Sequence, residues 1–147
     1  IGVLATPGTV ASESYVIELL KQDPTLIISQ QACPMWVPLI ESGEHLDDGA
    51  NYFVEKYLTT LLNRDPLIDT LILGCTHYPF LKSVIRNVVG ERGVQIIDSG
   101  EAVEKRVESL LDKYAIRASE ENDAQYEFLT FADDDYRERL RRKAFGE

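Results

Sequence analysis

Asp69-Thr-Leu-Ile-Leu-Gly-Cys-Thr-His-Tyr-Pro79 is the stretch on which the fold turns. Leu71 to Leu73 is a short aliphatic run that reads as a strand buried on both faces. It stops at Gly74, where a thiol, a hydroxyl and an imidazole follow. Pro79 suits the first turn of a helix, because it lacks an N–H where none is needed and its φ is already near the helical value. Phe80, Leu81, Val84, Ile85 and Val88 continue at helical spacing. Cys75 is therefore expected between the carboxyl end of a strand and the amino end of a helix, the place where open α/β sheets bind ligands. Free N–H groups and the helix dipole stabilise a thiolate in such a position. His77 is near enough in sequence to exchange a proton with the thiol or to hold a substrate carboxylate. A buried, inert Cys beside a capping Thr is the plainer alternative. Strand end, helix start and the Cys-Thr-His run together favour the functional reading.

Working outward, Ile1 to Thr6 reads as a short apolar strand running into a turn, Pro7-Gly8-Thr9, whose hydroxyls can cap a following helix. That helix is expected to bury Val16, Leu19 and Leu20 and to end at Gln22-Asp23-Pro24. Leu26 to Ile28 is the next expected strand, leading to a second thiol at Cys33-Pro34. Pro34 and Pro38 predict a largely non-helical connection to Gly43, with a turn near Val37 to Glu41. Leu46, Ala50, Phe53, Val54, Tyr57, Leu58, Leu61 and Leu62 fall on one face of a long helix from Leu46 to Arg64. After the central unit, Val94 to Ile97 reads as a fourth strand. Asp98-Ser-Gly-Glu101 then opens a helix whose apolar face is Val103, Val107, Leu110, Leu111 and Tyr114. Residues 117–125 read as a polar loop, Tyr126 to Phe131 as a strand, and Asp133 to Lys143 as a last helix, acidic first and basic last as the dipole prefers. Strand and helix alternate four times, so the chain is α/β with a mainly parallel sheet, helices on both faces and right-handed crossovers.

With 147 residues, 44% of them hydrophobic, the chain is long enough for one domain with a real core, or one and a piece. The formal charge of −10 repels nucleic acid and anionic membrane surfaces, so neither is expected as a partner. Two cysteines, Cys33 and Cys75, make no disulfide framework and no zinc spacing, and no apolar run approaches the roughly 18 residues of a membrane span. A reducing, cytoplasmic setting fits. The chain is strand-like from Ile1, with no initiator Met and no polar lead-in, which reads as a piece of something longer.

Other candidate features are weaker. Pro7-Gly8-Thr9 lacks the spaced glycines of a phosphate loop, which leaves a carboxylate-binding or structural turn. Cys33 has no neighbouring His or basic residue to stabilise a thiolate and reads as structural. Glu41 is in isolation a surface carboxylate, His45 sits near the amino cap of the long helix, and capping alone explains Asp98 and Ser99.

Gly74-Cys-Thr-His-Tyr-Pro79 resembles the corresponding stretch of cofactor-independent glutamate racemases, within the wider aspartate/glutamate racemase superfamily. Ile1-Gly-Val-Leu-Ala-Thr6 with Gly8-Thr-Val10, Gln31-Ala-Cys-Pro34, Val37-Pro-Leu-Ile-Glu41 and Ile97-Asp-Ser-Gly-Glu-Ala102 match further segments in the expected order, weakening after about Arg117. The similarity is to the C-terminal half of such an enzyme. It implies two pseudo-symmetric α/β domains, with the amino acid in the cleft and one cysteine from each domain flanking its α-carbon. Residues 1–97 would be the second domain, and residues 98–147 a segment that packs on the first. The resemblance makes Cys75 the second catalytic cysteine, with His77 assisting it, Glu41 a carboxylate near the same site, and Thr76 a substrate contact. The first catalytic cysteine and the family's Asp-Ser segment have no counterpart in this sequence. Cys33 matches a cysteine outside the catalytic pair.

The activity so implied is interconversion of L- and D-glutamate, supplying D-glutamate for peptidoglycan, without cofactor or metal. The fragment alone is expected to be inactive and to self-associate through residues 98–147. A racemase of aspartate or another small acid, and a non-catalytic small-acid binding module, are the alternatives. A cysteine hydrolase would need an orienting third group that the Cys-x-His spacing does not supply.

Overall fold

The computed structural model describes residues 1–119 and 122–145, which fall into two compact units, Ile1–Glu108 and Ser109–Glu147. The first unit carries a four-stranded sheet of β1 (Gly2–Ala5), β2 (Ser29–Ala32), β3 (Thr70–Leu73) and β4 (Gln95–Ile97). All pairs are parallel and the order is β2-β1-β3-β4, with Leu4 opposite both Gln31 and Leu73. Helices α1 (Pro7–Ala11) and α2 (Ser14–Gln22) connect β1 to β2, α3 (Trp36–Ser42) and α4 (Asp48–Arg64) connect β2 to β3, and α5 (Lys82–Val89) connects β3 to β4. Because β2 lies on one side of β1 and β3 on the other, right-handed crossovers place α2 on one face of the sheet and α4 and α5 on the opposite face. This is the α/β parallel architecture expected from the alternation of strand and helix.

The core lies under α4 and α5. Leu4, Leu71 and Leu73 from the strands meet Trp36 and Ile40 of α3, Val54, Leu58 and Leu61 of α4, and Leu81 and Ile85. Central β1 is buried at every position because it has a paired strand on each side and helices on both faces.

Several local expectations are corrected. The second strand is Ser29–Ala32 rather than Leu26 to Ile28; Ile27 is 72% exposed and only lends its carbonyl to the Ile1 ammonium. As an edge strand, β2 needs one buried side only, so polar Gln30 and Gln31 are tolerated, and the Arg64 guanidinium donates to the Gln30 carbonyl and the Gln31 side chain. Residues 36–42 are helical despite Pro38, because a proline at the third helical position removes an N–H that has no intrahelical partner. Gly43 at φ 85° closes that helix, as only glycine does without strain. Pro7 to Ala11 is a short helix of its own, capped by Thr6, rather than a plain turn. No α2 residue is fully buried, and Leu20 is exposed. The long helix starts at Asp48 and leaves Leu46 exposed. His45 packs edge-on against Phe80, with ring centroids 5.9 Å apart.

In the second unit, α6 (Ser99–Lys113), which begins in the first unit, ends, and α7 (Asp134–Phe145) follows. Residues 126–131 form no strand: this unit offers no sheet edge among the described residues, and β structure needs a partner backbone. Tyr126 and Phe128 instead pack their rings on Phe145. The polar stretch 117–125 is irregular where it is described, with Glu120 and Glu121 outside the described residues.

Candidate active site

The carboxyl end of β3 lies where the strand order reverses. β1 runs to β2 on one side and the chain then crosses to β3 on the other, and above the ends of two such strands is where open α/β sheets form their ligand crevice. Two residues beyond the Leu4–Leu73 pair, the chain reaches Thr6 on one strand and Cys75 on the other. Thr6 and Thr9 share a hydroxyl hydrogen bond of 2.9 Å at the start of α1. Gly74 still belongs to the sheet, donating its N–H to the Leu4 carbonyl at 2.8 Å. Cys75 is the first residue released from it.

From Cys75 the backbone folds into two successive tight turns. The Tyr78 N–H donates to the Cys75 carbonyl and the Phe80 N–H to the His77 carbonyl, both at 3.1 Å. A single 3₁₀ turn, Tyr78–Leu81, carries Pro79 near its start, where the sequence placed a helix's first turn, and α5 follows from Lys82. Tyr78 plunges into the core, fully buried, with its hydroxyl donating to the Cys33 carbonyl at 3.2 Å and its ring edge-on to Trp36 at 4.7 Å. Trp36 opens α3, the helix that bears Glu41. One buried aromatic contact thus sets α3 against the Cys75 turn.

Glu41 and His77 meet as a result. His77 Nε2 lies 2.5 Å from Glu41 Oε1, and His77 Nδ1 faces Cys75 Sγ at 3.9 Å. Each of the His77 and Glu41 side chains is about one-third exposed, at 33% and 35%, and Cys75 is half-buried, so the row opens to the crevice from a partly dry base. A carboxylate accepting from Nε2–H leaves Nδ1 of neutral imidazole with its lone pair toward the thiol, a tautomer assigned from the hydrogen-bond network. Proton transfer from Cys75 to His77 would then give a thiolate beside an imidazolium braced by Glu41. Thr76 is exposed on the same turn. The structure therefore brings Cys75, His77 and Glu41 together, with Thr76 beside them.

Cys33 stands apart. Its thiol is 1% exposed, and burial pushes its ionisation far above the ordinary thiol range. It ends an edge strand and is pinned by its N–H to the Ala5 carbonyl at 2.9 Å. Asp98, at the end of β4, pairs with Lys82 and accepts from the Gly100 N–H at 2.7 Å; the Lys82 bond, then the Gly100 bond, hold its carboxyl below the usual carboxylate range. Sequence reading missed Lys82 as the partner of Asp98 and, next to the Cys75 turn, Tyr15, whose ring lies against Gly74. Tyr15 stands four residues before Leu19 on the inward side of α2, the one signal that pointed to it.

The Cys-His-carboxylate row also supplies the orienting group that a cysteine hydrolase needs, so geometry alone leaves the reaction open. Comparison with known proteins narrows it. The chain is 41% identical to glutamate racemase of Lactiplantibacillus plantarum over 149 aligned positions, covering all of this chain and 53% of that protein. The chain is a homologue of the glutamate racemases. No protein-family profile matches it. The solved structure of a Bacillus anthracis glutamate racemase isoform superposes with a TM-score of 0.84 at 34% identity, over 99% of this chain and 53% of that one. Glutamate racemase of Francisella tularensis, solved with D-glutamate, superposes with a TM-score of 0.73 at 31% identity, over 82% of this chain and 44% of that one. The chain thus spans about half the length of the relatives it matches.

Proposed function

We propose that residues 1–147 furnish one wall of the active site of a glutamate racemase, interconverting L- and D-glutamate by proton transfer between two thiols without a cofactor. The observation that carries this reading is the row Cys75, His77, Glu41 at the sheet's switch point, in a homologue of glutamate racemases. The difficulty of the reaction is the weak acidity of an α-hydrogen beside an ionised carboxylate. A thiolate on one face, a thiol on the other and fixed donors to the substrate carboxylate lower that barrier. Cys75 would be the acid-base on one face, His77 would take and return its proton, Glu41 would hold the imidazole, and Thr76 would contact the substrate. On this reading the product D-glutamate serves peptidoglycan synthesis in the cytoplasm.

Residues 1–97 would form the second of two pseudo-symmetric domains, and residues 98–147 would complete the first. The chain has only one other cysteine, and it is buried. Nothing within residues 1–147 therefore delivers a thiol proton to the face opposite Cys75, so this stretch by itself should be inactive. Val103 and Val107 leave an apolar stripe of α6 about half exposed, which should drive self-association visible as a concentration-dependent sedimentation coefficient.

The deciding experiment is glutamate racemisation by the full-length enzyme proposed here. Cys75→Ser should abolish turnover, because an alcohol is far too weak an acid to serve as the base, while Cys33→Ala should leave most of it. Equal losses in two folded variants would overturn the assignment.

A further inference from the structure

We infer that Tyr15 is a positioning residue for Cys75, acting through Gly74. Gly74 has no left-handed backbone angle that would call for glycine; its N–H is an ordinary rung of the sheet, bonded to the Leu4 carbonyl. What calls for glycine is space. A Cβ at this position would stand 2.9 Å from Tyr15 Cε2, closer than real side-chain carbons come, and 3.1 Å from Tyr15 Cζ and 3.2 Å from Ala5 Cβ, both unusually tight. The hydroxyl-bearing end of the Tyr15 ring therefore rests on the backbone of the residue immediately before Cys75.

This contact has mechanical consequences. Cys75 is the first residue free of the sheet, and from there the next fixed point is Tyr78, buried under Trp36. Between the two, the turn bearing Cys75, Thr76 and His77 is half-buried or exposed. Tyr15 closes the sheet side of that turn as Tyr78 closes the core side. Helix α2 is otherwise lightly held, with no fully buried residue and a left-handed joint at Glu13 (φ 52°) separating it from α1. Tyr15 thereby ties the α1–α2 segment, with its Thr6 and Thr9 hydroxyls, to the opposite lip of the same crevice. Its value for catalysis rests on the role proposed for Cys75, whereas the positioning itself does not.

The test reads the thiol directly. Residues 1–147 are treated with iodoacetamide across a pH series, and modification of Cys75 is followed by mass spectrometry for the wild-type sequence, Tyr15→Phe, Tyr15→Ala, Gly74→Ala and the Gly74→Ala/Tyr15→Ala pair. Tyr15→Phe keeps the ring and should stay within about twofold of the wild-type rate. Tyr15→Ala unfastens the turn and should raise the rate at least about threefold. Gly74→Ala should move Cys75 relative to His77 and shift the pH midpoint of the profile, and adding Tyr15→Ala should bring the midpoint back. A Tyr15→Ala protein with the wild-type rate and profile would overturn the inference, and so would a double variant that keeps the Gly74→Ala midpoint. Should Gly74→Ala fail to fold, the comparison of Tyr15→Ala with Tyr15→Phe decides alone. Because alkylation does not depend on substrate chemistry, a failure here is distinct from a failure of the racemase reading, which Cys75→Ser tests.

Discussion

The two cysteines should differ in reactivity by at least about three to four orders of magnitude in the native protein, and the size of that gap follows from where each is held. Cys75 is half-buried at an open crevice, so a small alkylating reagent reaches it without unfolding. Cys33 is 1% exposed, its N–H is bonded to the Ala5 carbonyl, and its carbonyl accepts from the Trp36 N–H and the Tyr78 hydroxyl, each at 3.2 Å. Exposing Cys33 means parting β2 from β1 and lifting α3 from the core, which is close to unfolding the whole first unit. Small domains are stable by about 5–15 kcal/mol, and each 1.4 kcal/mol is a factor of ten. Even at about 5 kcal/mol, opening occurs in roughly one molecule in several thousand, and Cys33 reacts only in that fraction. Without opening it contributes nothing, because burial keeps it protonated and the thiolate is the nucleophile. Iodoacetamide at neutral pH, quenched at intervals and read by peptide mass spectrometry, measures both rates in one sample; the same reaction in concentrated urea should make them nearly equal. Native rates within tenfold of each other would refute the argument, since they would mean that β2 and the start of α3 open for about 1.4 kcal/mol or less.

Asp98→Asn should lower stability by about 1–2 kcal/mol at neutral pH, because a carboxylate only 10% exposed loses its charge-assisted bond from Lys82. The native state holds this carboxyl below its ordinary value, so the stabilisation is complete above the unfolded value near 4 and is lost as pH falls through the native one. Urea titrations should show the gap between wild type and Asp98→Asn wide at pH 6 and closing toward pH 2; a gap that widens in acid would contradict the assignment. Tyr78→Phe should cost only about 0.5–1.5 kcal/mol, since the Cys33 carbonyl keeps its bond from the Trp36 N–H. A urea-measured loss above about 3 kcal/mol would show that the hydroxyl, and not the ring packed on Trp36, anchors the turn.

What sequence alone determined here was local or periodic. The aliphatic run Leu71 to Leu73 ending at Gly74, the apolar face of α4 from Ala50 to Leu62 and the acidic opening of α7 each announce their element, because backbone geometry repeats every two or 3.6 residues whatever the neighbours are. The sheet's parallel sense follows from strand and helix alternating. Cys75 and His77 were legible as a site because they sit two residues apart at a strand end, and Glu41 was found through resemblance alone. Where tertiary structure decided, the cause was a partner distant in sequence. Ser29–Ala32 is the strand instead of Leu26 to Ile28 because β1 selects the register, and residues 126–131 form none because their own unit holds no strand among the described residues to pair with. Residues 36–42 coil into a helix because Trp36 buries against Tyr57 and Tyr78, while Pro38, at the third helical position, costs no intrahelical hydrogen bond. That helix alone carries Glu41 across 36 residues of chain to His77. The proximity of a carboxylate, an imidazole and a thiol is thus a product of core packing, which no local pattern encodes.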